Sequence, residues 1–255
     1  MTWINHDVHP IDNELYRATC AGRLDADGAL VLKGFFTQRF VDSVLAETVS
    51  REDDGFFASS THNVWLTPPN DELADDHIFN RQIVSTKGLL ADDQVPSGSP
   101  LRAVYDDEAF RSFVADVVGV EQVHPYADAL SSVNVHFHRN GEELGWHFDN
   151  SSFAVTTLIQ EPESGGTFEY VKDLRNAEAD EQNFAGVETA IDTREGVETL
   201  GFAPTDLVLF RGRNSMHRVT PSQGDRTRVL IVLAFNTEPD IGLSDSAKQT
   251  FYGRM

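Results

Sequence analysis

From residue 132 onward the chain is a series of short β-rich segments separated by turn residues, and this series restricts the fold more than any other feature. The segments 132–138, 146–149, 153–160, 167–171, 199–202, 206–210 and 228–235 are rich in Val, Ile, Thr, Phe and Tyr, with Gly, Asn, Pro and Asp between them. Many short strands in series predict an antiparallel sandwich or barrel. The last of them, Val229-Leu-Ile-Val-Leu-Ala-Phe235, is apolar at both parities, so both of its faces are expected to be covered.

The cover is expected from upstream. Residues 37–51 place Phe40, Val41, Val44, Leu45 and Val49 at helical spacing, with Thr37 as cap. A short strand over 28–34 precedes them, and 52–80 reads as polar loop. Residues 81–86 read as a strand, 96–100 as a turn, and 101–105 and 107–118 as two helices. The expectation is one mainly β domain over 1–255. A helical cover region (1–120) packs on one sheet of a double-stranded β-helix, or jelly-roll barrel, formed by 121–255.

Charge narrows the function classes. With 20 basic and 41 acidic side chains the net charge is −21, which repels phosphate backbones and disfavours a nucleic-acid partner. No apolar run has the length of a membrane span, and the N-terminus lacks the pattern of a secretory signal. The single Cys20 rules out an internal disulfide and fits a reducing compartment, so a cytoplasmic protein is expected.

Gly145-Trp146-His147-Phe148-Asp149-Asn150 carries the clearest chemical signal. On a strand, His147 and Asp149 point to one face and Phe148 to the other. Such a pair needs one more ligand to form a two-histidine, one-carboxylate set, which leaves open positions suited to Fe(II) and O2. His217 follows the turn that ends the 206–210 strand and completes the set. Arg228 opens the apolar last strand and shares a face with Leu230, Val232 and Ala234. A buried arginine needs an anion. A dicarboxylate held by a bidentate fork is one reading, and a structural Asp or Glu is the other. His136 and His138 also lie at i and i+2, but without a carboxylate. They read as hydrogen-bonded structural residues, with His136 lining a cavity.

The run GWHFD, GGTFEYV, LVLFRGRNSMHRVTP, GDRTRVLIVLAFN and FYGR resembles the iron(II)/2-oxoglutarate oxygenases that act on free amino acids, most of all the group containing the lysine halogenases and their hydroxylase relatives. The resemblance covers roughly 80–255 well and the first 80 residues poorly. It implies that His147, Asp149 and His217 bind Fe(II) and that Arg228 holds the distal carboxylate of 2-oxoglutarate. Many relatives have a Ser two residues after that Arg. Leu230 stands there in this chain, so Thr157 or Thr167 is the expected substitute donor. Halogenases of the group carry Gly in place of the metal-binding carboxylate, so Asp149 implies a hydroxylase. Lysine-acting members place an acid just after it, where this chain has Asn150, which leaves the side chain of the substrate undecided. The resemblance further implies Arg81 for the substrate carboxylate and Tyr252 as a closing aromatic. The expected activity is hydroxylation of an unactivated C–H bond in a small molecule, a free amino acid or close derivative, with release of succinate and CO2. Desaturation or cyclisation at the same iron site, a protein or peptide hydroxylase, and a non-catalytic jelly-roll binding protein are the rivals.

Overall fold

The computed structural model describes residues 2–255. Six α-helices lie among the described residues: α1 (Glu14–Asp27), α2 (Gln38–Val49), α3 (Pro100–Tyr105), α4 (Glu108–Val118), α5 (Phe184–Thr193) and α6 (Asp245–Tyr252). The strands are β1 (Ala29–Leu32), β2 (Phe56–His62), β3 (Ile83–Leu90), β4 (Val133–His138), β5 (Leu144–His147), β6 (Ala154–Gln160) and β7 (Ser164–Gly165). They continue with β8 (Phe168–Val171), β9 (Glu198–Leu200), β10 (Leu207–Phe210), β11 (Met216–Val219), β12 (Ser222–Gln223) and β13 (Arg228–Leu233).

A seven-stranded sheet, in the order β1-β10-β6-β13-β4-β3-β2, faces a four-stranded sheet in the order β5-β11-β8-β9. All pairings within them are antiparallel. This is the expected jelly-roll barrel. Strand alternation gives the large sheet two unlike faces. Val229, Ile231 and Leu233 of β13 and Val133, Val135 and Phe137 of β4 point outward and are almost wholly buried under the helices. Phe40 and Val44 of α2 and Phe110, Phe113 and Val114 of α4 supply the other side of that core. Arg228, Leu230 and Val232 point inward, where both sheets line a cavity of about 750 Å³.

Four regions differ from expectation. Residues 1–120 are not only a helical cover, because β1, β2 and β3 are strands of the large sheet. Residues 14–27, for which the sequence predicts no element, form α1, capped by the Asn13 side chain accepting from Tyr16 N. Only Cys20 and Leu24 of α1 are buried, so its apolar stripe is too thin to show in the sequence. Residues 52–80, read as loop, contain β2, and Val64, Trp65 and Ile78 then cover the outer face of the small sheet together with α5. Finally, β13 has apolar residues at both parities, but only its outer face meets a packed layer.

Candidate metal centre

His147 and His217 are paired residues of β5 and β11, so the ladder itself brings the two imidazoles together on the inner face. Their strand neighbours Trp146 and Met216 point the other way, into the core under α5. β5 ends at His147, so Asp149 lies in the following loop, beyond the strand assigned to it from sequence. Two backbone bonds position that loop: Phe148 N donates to Val64 O (2.8 Å) and Asp149 N donates to Gly212 O (3.0 Å). Asp149 Oδ1 lies 3.7 Å from His147 Nε2 and 3.6 Å from His217 Nε2. One ligand atom from each residue falls within 4.8 Å of the others. Gly212 is required by close approach. A Cβ there would collide with Asp149 Oδ2 and stand 2.9 Å from His217 Cε1.

Both imidazoles are held in one tautomer. His147 Nδ1 donates to Gly145 O (2.8 Å) and His217 Nδ1 donates to Ser215 O (3.0 Å), which turns both Nε2 lone pairs toward Asp149. Burial pushes His147 down to about 3, assisted by the nearby His217, and pushes His217 down to about 4. Both rings are therefore neutral donors at neutral pH. Burial raises the Asp149 carboxyl, against the opposing pull of His147 and Lys87.

The hydrogen-bonded support of His147 continues to the sheet edge. Gly145 N donates to Ser85 Oγ (2.9 Å), and Ser85 Oγ lies 2.7 Å from His62 Nε2. His62 Nδ1 donates to Asn63 O (2.9 Å), and burial keeps the ring neutral, so Ser85 donates its hydroxyl proton to Nε2. Each group in this chain has one possible role. Neither His62 nor Ser85 stands out in the sequence.

Arg228 is 1% exposed, and its Nε and Nη1 have no hydrogen-bond partner among the described residues. Burial lowers its pKa to about 10. Opposite it in the ladder is His138, both of whose ring nitrogens are also unpartnered. Ser222 Oγ is a further buried, unpartnered polar atom. A Cβ on Gly166 would stand 2.9 Å from Arg228 Cδ and 3.2 Å from Ser222 Oγ, so Arg228 and Ser222 flank the same glycine. Four atoms of Arg228 and His138 and one of Ser222 thus lack partners in one region. That is a costly arrangement for a protein interior unless an anion is bound there. Among the described residues the expected structural pairing of His138 is absent, and no Asp or Glu pairs with Arg228.

Other expected site residues are divided between the cavity and its surroundings. His136 and Asn150 line it. Arg81 does not, since its Nη1 lies 2.6 Å from Asp192 on α5 in an ion pair whose two side chains are each nearly half exposed. Tyr252 is buried against Leu89, Ala91 and Leu130, and its neighbour Phe251 lines the cavity instead. Thr157 shares the outer face with Ile231 and Leu207, away from the cavity. Thr167 pairs through its backbone with Thr220 and is not part of the cavity wall. Lys87, which sequence reading passed over, is in the wall. Its ammonium forms no ion pair or hydrogen bond among the described residues, and burial pushes it down to about 8 against the attraction of Asp149.

The fold and the His-Asp-His cluster define a jelly-roll protein with a facial metal-binding set. The profile of one family, Halogenase D, matches residues 88–251, and the chain belongs to that family. No curated protein sequence matches it. Among solved structures it is similar to an oxidoreductase of the 2OG-Fe(II) oxygenase family from Burkholderia pseudomallei (12% identity, 90% of this chain and 95% of that chain, TM-score 0.57). It is also similar to the non-heme α-ketoglutarate-dependent epimerase SnoN of nogalamycin biosynthesis (12% identity, 88% and 83%, TM-score 0.59). A third similar structure is a Trichoplax adhaerens prolyl hydroxylase in complex with a hypoxia-inducible-factor peptide (13% identity, 87% and 90%, TM-score 0.56). At these identities the likeness establishes the fold.

Proposed function

We propose that this chain is an iron(II)/2-oxoglutarate-dependent dioxygenase that hydroxylates an unactivated C–H bond of a free amino acid or close derivative, with succinate and CO2 as coproducts. The observation that carries the reading is the conjunction of a neutral His-Asp-His donor set with a buried, unpaired arginine in the same cavity. Two imidazoles and one carboxylate suit Fe(II) and leave coordination positions open. Arg228, His138 and Ser222 would hold the distal carboxylate of the cosubstrate, which supplies the donors that Leu230 cannot.

The protein's own part is positioning and exclusion of water. His147 and His217 present fixed Nε2 lone pairs, and Asp149 completes the set. When bound, iron and 2-oxoglutarate supply an oxidant made from O2. The apolar inner wall, with Leu230, Val232 and Phe210, keeps water from the reacting C–H bond. Asp149 occupies the place that a halide would need, which favours oxygen transfer over halogenation. Lys87, and not Arg81, is the cation that the cavity offers to a substrate carboxylate.

The test is an anaerobic titration of the Fe(II)-loaded protein with 2-oxoglutarate, followed by a screen of amino acids and their derivatives for succinate release. A metal-to-ligand absorption band is expected on titration, and a product heavier by one oxygen on turnover. Absence of the band would refute the cosubstrate. Loss of two hydrogens would replace hydroxylation by desaturation or ring closure.

A further inference from the structure

The protein is strongly acidic overall, yet its cavity is cationic. Apart from Asp149, no Asp or Glu lines it, while both Arg228 and Lys87 do. Lys87 projects from β3 beside Ala58 of β2, and its Nζ lies 5.6 Å from the ring centroid of Phe251 on α6. It therefore stands between the metal-binding loop and the helix at the cavity mouth. The titratable groups that face it are Asp149, His62, His136, His138, Arg228 and Tyr126. Burial keeps the four histidine and tyrosine types among these neutral, with the His pKa values lowered and the Tyr126 pKa raised.

The charges can then be summed on the cosubstrate reading proposed above. A divalent metal, the Asp149 carboxylate, a 2-oxoglutarate dianion and the Arg228 guanidinium together come to zero. Lys87 remains, with one positive charge in a partly buried site and no carboxylate to meet it. An unpaired charge in such a place is unfavourable until an anion binds. A zwitterionic amino acid would bring an ammonium group to a wall without a free acid, and a cationic side chain would bring two.

We infer that the substrate carries one net negative charge, with a carboxylate seated on Lys87. Two kinds of molecule meet this condition: a carboxylic acid whose amine is absent or masked, such as an N-acyl amino acid, and an amino acid with an acidic side chain. Lysine-like side chains are excluded by the same charge sum. Lys87 is accordingly a specificity-determining residue.

The thermal midpoint of the anaerobic Fe(II)- and 2-oxoglutarate-loaded protein tests this directly, because a ligand that binds only the folded state raises it. The probes are two acid series, N-acetyl amino acids and acidic amino acids, each with its carboxamide, and L-lysine as the cationic control. The midpoint should rise with members of one acid series, and which series responds separates the two sources. It should not rise with the matched carboxamides or with L-lysine. K87M should abolish the rise, K87R should keep it, and both should show the wild-type absorption band with 2-oxoglutarate. A rise with L-lysine or equal rises with acids and amides would overturn the inference, as would no rise with any acid or a full rise in K87M. Loss of 2-oxoglutarate binding in K87M would assign Lys87 to the cosubstrate instead. A wild-type protein that shows no absorption band but keeps the Lys87-dependent rise would refute the cosubstrate and leave the anion site standing.

Discussion

The two faces of β13 differ in what their buried residues meet. Val229, Ile231 and Leu233 are buried in a continuous apolar core. Arg228, at the start of the same strand, is equally buried but has unpartnered nitrogens. Burial therefore has opposite meanings on the two faces. On the outer face it stabilises the fold, at about 25 cal/mol per Å² of apolar surface removed from water. On the inner face it costs stability and readies a charge for a ligand.

That contrast can be broken by experiment. Arg228→Met should weaken 2-oxoglutarate binding by about 2–5 kcal/mol, the range for truncating one partner of a buried charge pair. Iron binding should persist, and the thermal midpoint of the ligand-free protein should not fall. A fall in that midpoint with unchanged cosubstrate affinity would show that Arg228 belongs to the core and not to the site. Ser85→Ala removes the hydroxyl that joins His62 to the Gly145 amide. It should weaken metal affinity by about 10- to 100-fold, as loss of such outer support typically does. Titration with Fe(II) or Co(II) reads the change, and native affinity would sink the positioning role. Ile231→Val should cost about 0.5–1.5 kcal/mol of stability and leave metal and cosubstrate affinity as they were. Equilibrium denaturation and the same titrations check both halves.

The last effect is a pH dependence that arises on the inner face. His62, His136, His138, His147 and His217 all have pKa values lowered by burial. In the unfolded chain each takes up a proton near pH 6.5, whereas in the folded protein each takes it up only at lower pH. The unfolded state therefore binds more protons between about pH 6.5 and the lower folded values. Stability of the metal-free protein is fully present above about pH 6.5 and declines as pH falls through that window. A thermal midpoint that stays flat from about pH 7 to 5 would contradict this.

Residues whose surroundings alternate cleanly were legible in the sequence. Arg228 shows as one ionisable group opening an apolar strand, His147 and Asp149 show as a same-face pair around Phe148, and α2 and α4 show as apolar residues at helical spacing. Less legible was anything whose inner face is polar. Phe56–His62 of β2 presents Ala58, Ser60 and His62 to the cavity, and a polar cavity wall has the same composition as a solvated surface. Lys87 was missed for the same reason. Arg81 shows the converse error. It has the parity of Ser85 and Lys87, but β3 begins only at Ile83, so nothing directs its side chain inward, and Asp192 captures it. Asp149 was correctly paired with His147, although its place depends on contacts with Val64 and Gly212 that are remote in sequence.

β2 is the last strand of the large sheet, hydrogen-bonded to a neighbour on one side only. Edge strands open to solvent through local fluctuations that cost far less than global unfolding. His62 ends this strand, and from it the hydrogen bonds run through Ser85 and Gly145 to His147. Each opening of the edge therefore loosens the grip on one metal ligand while the apolar core stays intact. The residence time of a bound metal ion becomes a property of the sheet's margin, set by how often β2 frays.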